Sequence, residues 1–301
     1  MPRHTPTSLT QLIKAHIKFW GVRGSFVTTE NRIGGHTTCI SIEYGDLILI
    51  IDSGTGSFDL GQYLKQKYLD ENKELHVHVF HTHAHGDHLC GFSAFAPLWS
   101  NKTTVNMYSG RHSGLTSEDC MKKFVFTAPI FPMEFHQIPA KITHREFVAG
   151  ERFTIPCNFG DVQVWVLPMK HPNGAFGFQF LIGGRALAIT LDHTPGDPEL
   201  DGNIVKLASD VDLQITEVQY TDEQFGTHLG SFGHISPQFT AEHAILSKPR
   251  LMYTTHHDLL ATFEDLVDIT TRIHRIARAA GHDMDVRFAL QHDLRNDGIY
   301  L

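Results

Sequence analysis

The stretch that decides the fold is Thr82-His83-Ala84-His85-Gly86-Asp87-His88, in which four good metal ligands fall within six residues. It follows the apolar run His76 to Phe80, which predicts a buried strand. It precedes Gly91 and a segment from Phe92 to Trp99 that we expect to be helical. A strand that ends in a ligand-rich loop presents its ligands at the edge of a sheet, where open α/β sheets place their sites. The stretch therefore predicts a metal site on an α/β scaffold.

The spacing of the four residues divides them into two groups. His83 and His85 alternate as on an extended chain, so their side chains point the same way. Asp87 and His88 lie where the chain turns, so they can face a second ion. Imidazole nitrogens with a carboxylate suit zinc and other first-row metals. A histidine-rich surface loop is the alternative, since the chain contains 22 histidines, but the strand context favours ligands.

The motif Thr-His-x-His-x-Asp-His resembles that of the metallo-β-lactamase superfamily. The resemblance implies an α/β fold, a four-layer αββα sandwich with mixed sheets, and one or two metal ions at the sheet edge. It does not specify the substrate, because such superfolds host many chemistries. We expect residues 1–15 to form an arm and residues 16–301 to form a single domain of this fold.

Bulk composition limits the classes of protein and of partner that fit this chain. The 301 residues, 41% of them hydrophobic, are enough for a large core. The sequence has neither a signal-peptide pattern nor a run of about 20 apolar residues, so we expect no membrane partner and a cytoplasmic location. The four cysteines lack zinc-like spacing and are expected to be reduced. A net charge of −8 without a basic run favours a small substrate over long nucleic acid.

Four ligands cannot hold two metal ions, so the chain must supply others. Three candidates each follow an apolar run, and the first of them is His171. The other two are Asp192 and His256. His257 competes with His256 for the same role. We otherwise expect His257 and His193 to contact the substrate or to support the metal ligands from behind.

The superfamily pattern implies how these ligands divide between two ions, with Asp192 as the bridge. One trio holds each ion: His83, His85 and His171 the first, and Asp87, His88 and His256 the second. Oxygen-reducing di-iron relatives carry Glu where this chain has His85, so His85 favours hydrolysis on zinc or manganese. Antibiotic-degrading members have Cys at the position of Asp192 and a different residue at His88, so their activity is not expected.

Further motifs resemble one subgroup, the phosphodiesterase-like members of the superfamily. These members include phosphoribosyl cyclic phosphodiesterases, cyclic-nucleotide phosphodiesterases and tRNA 3′-processing ribonucleases. The motifs occur in order between Ile17 and Leu260: Phe19 to Ser25, Asp52 to Gly56, Phe131-Pro132, His171 to Phe178, Tyr220 to Glu223, Gly233 to Ser236 and His256 to Asp258.

The subgroup resemblance also implies catalytic roles. The similar histidine of the ribonuclease relatives lies beside the scissile phosphate, which implies that His234 protonates the leaving oxygen. A helix-capping neighbour without chemistry is the alternative. Asp87 and Asp192 are expected to orient the attacking hydroxide. Arg23, on a glycine-flanked turn, is a candidate for phosphate binding, with an internal ion pair as the alternative.

We therefore predict a dinuclear phosphodiesterase that hydrolyses a small phosphodiester, such as a cyclic nucleotide or a cyclic phosphosugar. Two divalent ions are expected, with zinc first and manganese second. A lactonase or thioesterase is an alternative that would use the same metal ions to hydrolyse a different chemical bond. A metal-stabilised sensor would lack turnover, and the intact ligand set argues against it. A ribonuclease acting on RNA 3′ ends would need a basic arm, which the sequence lacks.

Residues 101–150 are the least regular part of the sequence. Aromatic residues concentrate at Phe124, Phe126 and Phe131, and prolines interrupt the pattern. We expect this segment to act as a flap over the site or as a homodimer contact. A loop packed on the core is the alternative.

Overall fold

Two seven-stranded sheets dominate the computed structural model, which describes residues 14–29, 32–292 and 298–301. The arm predicted over residues 1–15 lies almost wholly outside the described residues. The first sheet has the strand order 14-1-2-3-4-5-6. Its strands are β1 (His16–Gly21), β2 (Cys39–Tyr44), β3 (Leu47–Ile51), β4 (Leu75–Phe80), β5 (Thr103–Ser109), β6 (Lys141–Glu146) and β14 (Ile299–Tyr300).

The second sheet comes entirely from the second half of the chain. Its strand order is 13-12-11-10-9-8-7, so it follows the same sequential plan as the first sheet. Its strands are β7 (Arg152–Ile155), β8 (Val162–Met169), β9 (Ala175–Ile182), β10 (Arg185–Thr190), β11 (Leu213–Glu217), β12 (Leu251–Thr255) and β13 (Asp285–Phe288).

Both sheets are mixed, as predicted. Strands β3 to β6 run parallel to one another, and β10 to β13 do the same in the second sheet. The remaining pairs are antiparallel. Because the carboxyl ends of parallel strands meet at one edge of a sheet, loops from different parts of the sequence come together there.

Two tight turns join antiparallel neighbours. Gly45 has φ of 60° between β2 and β3. Gly183 and Gly184 have φ of 57° and 80° between β9 and β10. Two-residue hairpins favour positive φ, which glycine adopts without steric cost. The glycines therefore allow both connections to be short.

Helices cover the outer faces of the sheets. α1 (Ser57–Leu64) packs Leu60 and Leu64 against the apolar residues of β3 and β4. α4 (Pro198–Ala208) and α7 (Phe263–Ala279) pack on the second sheet, and α6 (Pro237–Ser247) packs against both of these helices. None of the helices in the described ranges is long and apolar enough to span a membrane. The helices are α1 (Ser57–Leu64), α2 (Gly86–Leu89), α3 (Ser117–Cys120), α4 (Pro198–Ala208), α5 (Asp222–Phe225), α6 (Pro237–Ser247) and α7 (Phe263–Ala279).

The main core lies between the two sheets. Phe80 closes β4, and its ring meets the edges of Phe178 and Phe180 from β9 at centroid distances of 5.5 and 5.3 Å. Ile51 of β3 and Ile189 of β10 belong to the same buried cluster. Burial of such side chains contributes roughly 1.5–3 kcal/mol each. The segment His81 to His88, which we call the histidine-rich loop, begins directly after Phe80. The apolar core therefore fixes the position at which this loop begins.

One predicted helix is wrong. The segment after the histidine-rich loop forms two short 3₁₀ turns, Cys90–Ala94 and Ala96–Trp99. Pro97 lies early in the second turn, where its missing N–H costs no hydrogen bond. A Cβ on Gly91 would lie 1.9 Å from the carbonyl oxygen of Gly54, so the two backbones are in direct contact there. This close approach holds the histidine-rich loop against the loop after β3.

The segment 101–150 differs from a simple insertion. It contains β5 and β6, which extend the first sheet, so only the chain between these strands is available as a flap. Phe126 is buried in the apolar cluster that also contains Leu60 of α1, whereas Phe124 is 61% exposed. The role of the connecting chain in access or in a subunit contact stays a prediction.

Candidate metal centre

Side chains from the carboxyl ends of six strands meet at one edge of the sandwich. β8 runs in the same direction as β10, because each is antiparallel to β9. The residues that follow or close these strands are Asp52 after β3, His83 to His88 after β4, His171 after β8, Asp192 after β10, Glu217 at the end of β11 and His256 after β12.

Three of these residues hold a left-handed backbone without being glycine. The φ angles are 58° at Asp52, 52° at Asp192 and 57° at His256. Each such conformation costs on the order of 1–3 kcal/mol and persists only where the surroundings impose it. Strain of this kind concentrates at functional sites, and here it occurs where three strands turn into the cluster.

The first predicted trio is assembled. Ligating nitrogens of His83, His85 and His171 lie within 4.8 Å of one another. The closest pair is His171 Nε2 and His85 Nδ1, at 3.0 Å. His83 and His171 are buried, and His85 is partly exposed, so the trio is open on one side.

The second predicted trio lies beside the first. His88 Nε2 is 3.1 Å from His256 Nε2, and Asp87 Oδ2 is 3.3 Å from His256 Nε2. His88 and Asp87 approach to 3.4 Å. His88 and His256 are wholly buried. The sequence left open whether His256 or His257 belongs to the second trio. The structure places His256 there.

Asp192 lies between the two trios. Its Oδ2 is 3.7 Å from His83 Nε2, 3.6 Å from His171 Nε2 and 3.5 Å from His88 Nε2. Its Oδ1 is 3.4 Å from His256 Nε2. The fold thus brings all seven predicted ligands together, with the carboxylate in the place that a bridge requires.

Hydrogen bonds on the outside of the cluster fix the imidazole tautomers. His88 Nδ1 donates to Asp52 Oδ2 at 2.8 Å, and His171 Nδ1 donates to the carbonyl of Gly233 at 2.8 Å. Each bond leaves the Nε2 lone pair directed at the centre. Partners of this kind orient metal-binding histidines and raise their basicity.

Asp52 accepts several of the hydrogen bonds in this outer layer. It accepts from the backbone N–H and the hydroxyl of Thr82, each at 2.8 Å, as well as from His88. The Thr82 hydroxyl oxygen is 3.0 Å from His83 Nδ1, so it can accept that proton. Burial raises the pKa of the Asp52 carboxyl, and His88 opposes this rise. Asp52 was not among the predicted site residues, although it closes an apolar strand.

The residues fit divalent metal ions. His83 Nε2 and Asp192 Oδ1 are buried without a hydrogen-bonding partner in the described part of the chain. An unsatisfied buried polar atom costs about 1–3 kcal/mol, and a cation among these lone pairs would remove such costs. Burial lowers the pKa of His171 to about 4, so its imidazole is neutral, as metal binding requires. Burial opposes ionisation of Asp192, but His256 and His88 hold its pKa well below the usual range.

His234 adjoins the cluster from the loop before α6. Its Nδ1 is 2.9 Å from Glu217 Oε2 and 3.8 Å from Asp192 Oδ2. Burial would lower the pKa of His234, but the Glu217 carboxylate raises it to about 9. The imidazole is therefore protonated at neutral pH, and Nε2 is the ring atom left for a leaving oxygen.

Glu217 is a site residue that the sequence reasoning missed. It is wholly buried, and its Oε1 accepts from the backbone N–H of His193 at 2.5 Å. Burial raises the pKa of Glu217, and His234 opposes this rise. The available signal was an acidic side chain that closes an apolar strand, which is the pattern that identified Asp192.

Two histidines expected to contact substrate are instead buried among protein groups. His193 Nε2 donates to Asp201 Oδ1 at 2.6 Å, and its Nδ1 accepts from the backbone N–H of Lys170 at 3.2 Å. His257 is wholly buried, and its Nε2 donates to the carbonyl of Ala289 at 3.0 Å. Because these contacts hold both rings inside the protein, the substrate roles predicted for them are corrected to structural ones.

Arg23 is likewise a structural anchor. Its guanidinium is wholly buried and donates to the backbone carbonyls of Gly34, Asp258 and Ala261 at 2.8, 2.7 and 3.1 Å. These bonds tie the loop after β1 to the chain that follows His256. The predicted phosphate contact is therefore replaced by a role in holding two loops together.

The sequence matches known proteins in the region that contains the centre. A family model described as the beta-lactamase superfamily domain matches residues 49–257. Ribonuclease Z of Pyrococcus furiosus is 26% identical over 166 residues, which cover 54% of this chain and 46% of that protein. Ribonuclease Z of Thermococcus kodakarensis is 24% identical over 165 residues, which cover 54% and 45%. The match thus spans about half the length of these curated relatives.

Solved structures share the fold over nearly the whole chain, at identities that support no statement beyond the fold. The metallo-β-lactamase fold protein YhfI of Bacillus subtilis has a TM-score of 0.67 and 16% identity, covering 96% of this chain and 99% of its own. Yeast PDE1 has a TM-score of 0.66 and 14% identity, covering 93% and 98%. A diphosphatase of the PhnP family has a TM-score of 0.62 and 15% identity, covering 95% and 97%. The chain belongs to the beta-lactamase superfamily, and its fold is the metallo-β-lactamase fold of the metal-dependent hydrolases in that superfamily.

Proposed function

We propose that the protein is a dinuclear metal-dependent phosphodiesterase that hydrolyses a small phosphodiester. The observation that carries the proposal is the placement of His234 beside the seven predicted ligand side chains, with its Nδ1 bonded to Glu217 and with Asp192 between the trios. A nearby proton donor suits the departure of an alkoxide, which is the poor leaving group of a natural phosphodiester. Zinc is the proposed metal, because the donor set is rich in imidazole, and manganese is the alternative.

Divalent ions bound by the two trios would polarise a phosphate oxygen and lower the pKa of a water molecule. The chain supplies the remaining functions. Burial opposes ionisation of Asp87, yet His88 and His256 hold its pKa far below the usual range. Asp87 and Asp192 are thus anionic acceptors that can orient the attacking water. The buried histidines keep the centre fixed and exclude bulk water from one side.

His234 is the proposed general acid. Its Nε2 proton passes to the leaving oxygen as the P–O bond breaks, and the neutral imidazole keeps its Nδ1 hydrogen bond to Glu217. Glu217 stabilises the cationic form before transfer and fixes the ring orientation. Positioned general acids typically contribute 10²–10⁴-fold in rate.

Two exposed aromatic rings support a nucleotide over a phosphosugar as the substrate. Phe26 is 69% exposed and follows Ser25, whose amide donates to Asp87 Oδ2 at 2.7 Å. Phe232 is 55% exposed and precedes Gly233, whose carbonyl binds a histidine ligand. Aromatic rings beside a phosphate site offer a stacking surface for a nucleobase.

Cleavage of RNA 3′ ends is the second candidate function. The curated relatives are named ribonuclease Z, which favours it. The match covers less than half of their length, and this chain carries a net charge of −8. Long RNA is usually held by a basic surface, so we place a small phosphodiester first.

The decisive experiment is a substrate screen on protein loaded with zinc or manganese. Bis-p-nitrophenyl phosphate and p-nitrophenyl acetate separate phosphodiesterase from esterase activity. Cyclic mononucleotides, a cyclic phosphosugar and a precursor tRNA then identify the leaving group. The proposal expects turnover of the phosphodiester and of a cyclic nucleotide. Faster turnover of the acetate, with no phosphodiester cleaved, would support the lactonase or thioesterase alternative.

A further inference from the structure

The helix that follows His234 begins without a cap from its own sequence. Ser236 is the N-cap residue of α6, and its side chain makes no capping hydrogen bond to the helix. Pro237 has no N–H, so Gln238 carries the first free amide of the helix. Free amides at a helix start need an acceptor, and Ser236 does not supply one.

Asp222 supplies that acceptor from another element. Its Oδ1 accepts from the amide of Gln238 at 3.0 Å and from the hydroxyl of Ser236 at 2.6 Å. Its second oxygen forms an ion pair with Arg272 of α7. Asp222 therefore joins the start of α6 to the middle of the longest helix in the described chain, which is anchored on the second sheet.

The backbone held in this way is the loop Gly233 to Ser236, which contacts two residues of the centre, His171 and Glu217. Gly233 accepts the hydrogen bond of His171, and a Cβ on it would lie 2.5 Å from the side chain of Pro172. His234 bonds to Glu217. The loop has contacts with the metal centre at its first two residues and with Asp222 at its last residue.

We propose that Asp222 is a positioning residue that sets the placement of His234 by capping α6 from outside. This proposal rests on the proposed function for its effect on turnover, but not for its effect on the loop. Removal of the carboxylate leaves the Gln238 amide and the Ser236 hydroxyl without their acceptor, and the loop loses its fixed end. Displacement by about 1 Å at a catalytic group can lower the rate by on the order of 100-fold.

The test compares two substitutions with a matched control. Asp222→Ala removes the acceptor, whereas Asp222→Asn keeps an oxygen for Ser236 and Gln238. Asp265→Ala is the control, because Asp265 accepts from the N–H and hydroxyl of Thr262 in the capping box of α7, and these hydrogen bonds stay within the start of that helix. All three variants keep the seven ligands.

The first measurement is amide hydrogen exchange in the metal-loaded protein, and it needs no activity. Loss of a cap typically weakens a helix start by about two- to tenfold in exchange protection. We expect that increase over residues 233–240 in Asp222→Ala, a smaller one in Asp222→Asn, and an increase confined to the start of α7 in Asp265→Ala. Unchanged exchange over 233–240 in Asp222→Ala would overturn the proposal.

The second measurement is turnover of two phosphodiesters that differ in leaving group. For Asp222→Ala, kcat should fall by about 10- to 100-fold with an alkoxide leaving group and less with p-nitrophenolate, while bound metal is unchanged. Asp222→Asn should recover most of the loss, and Asp265→Ala should show none. Equal loss with both leaving groups, or equal loss in Asp222→Asn, would overturn the positioning role. If the unmodified protein cleaves no phosphodiester, the proposed function fails, and hydrogen exchange still decides whether Asp222 holds the loop.

Discussion

The two halves of the sandwich have the same strand plan but contribute to the metal centre in different ways. The first half supplies four of the predicted ligands from one continuous stretch, His83 to His88. The second half supplies isolated residues, among them Asp192, Glu217 and His256, each at the end of a different strand. A continuous motif sets its own local geometry, whereas dispersed residues depend on strand order and register.

The difference also extends to the groups that support the ligands. In the first half, Asp52 and Thr82 hold His83 and His88 through short side-chain hydrogen bonds. In the second half, the support comes largely from loops and helix starts, such as the carbonyl of Gly233. We therefore expect substitutions in the first half to act on metal binding, and substitutions around His234 to act on the chemical step.

The largest effect is expected for Asp192→Ala, which removes the one residue shared by both trios. Turnover should be abolished and bound metal should decrease from about two ions per chain, while far-UV circular dichroism is retained. Elemental analysis and rate measurements check this. Asp197→Ala is a control, because the side chain of Asp197 caps α4. Two tightly bound ions and unchanged rates in Asp192→Ala would show that Asp192 does not bridge the ions.

His234→Ala should lower kcat by about 10²–10⁴-fold on a substrate with an alkoxide leaving group. The loss should be smaller with p-nitrophenolate, which needs no protonation, and bound metal should stay the same. Paired kinetics with metal analysis make the measurement. A decrease in bound metal would instead place His234 among the ligands, and equal losses on both substrates would assign it to substrate positioning.

Asp52→Asn tests the support layer of the first half. The neutral amide accepts more weakly from His88, so metal affinity should decrease by about 10- to 100-fold, as is typical for groups that orient ligands. Titration with a competing chelator measures the affinity. At saturating metal, kcat should remain close to that of the unmodified protein. If kcat decreases at full occupancy, Asp52 acts on the reaction and the division between the two halves is too simple.

Phe26→Ala and Phe232→Ala test the proposed base-stacking surface. Stacking on one ring contributes about 1–3 kcal/mol per base, so KM for a cyclic nucleotide should rise by roughly five- to 100-fold. KM for bis-p-nitrophenyl phosphate is measured in the same variants and should change less than KM for the cyclic nucleotide. Phe159→Ala is the matched control, since Phe159 is 45% exposed and packs on Tyr44, which belongs to β2. Similar KM changes for a cyclic phosphosugar would argue against base recognition.

The smallest effect that we expect is a change in hydrogen exchange in the chain between β5 and β6. If it shapes access to the centre or a subunit contact, its hydrogen exchange should change on addition of a phosphodiester analogue or on dilution. Phe124 and Ile130 are 61% and 73% exposed and are the side chains most available for either role. Exchange that responds to neither treatment would leave this segment as packing on the core.

Much of the fold and of the centre follows from local sequence. The apolar runs predict buried strands, because burial restricts the residues that these positions accept. The histidine-rich loop predicts its own metal role, since its ligands are neighbours in sequence. His171, Asp192 and His256 follow from the same rule, applied to single residues after apolar strands.

The remaining features depend on the tertiary structure, because they are contacts between residues far apart in sequence. The pairing of Glu217 with His234 and the cap that Asp222 gives to α6 arise only when strands and helices pack. The burial of Arg23, His193 and His257 likewise follows from neighbouring loops, which satisfy polar groups that sequence reasoning assigned to a substrate. A side chain's residue type predicts which chemistry it can do, and its surroundings in the fold decide whether it faces the centre or holds the structure in place.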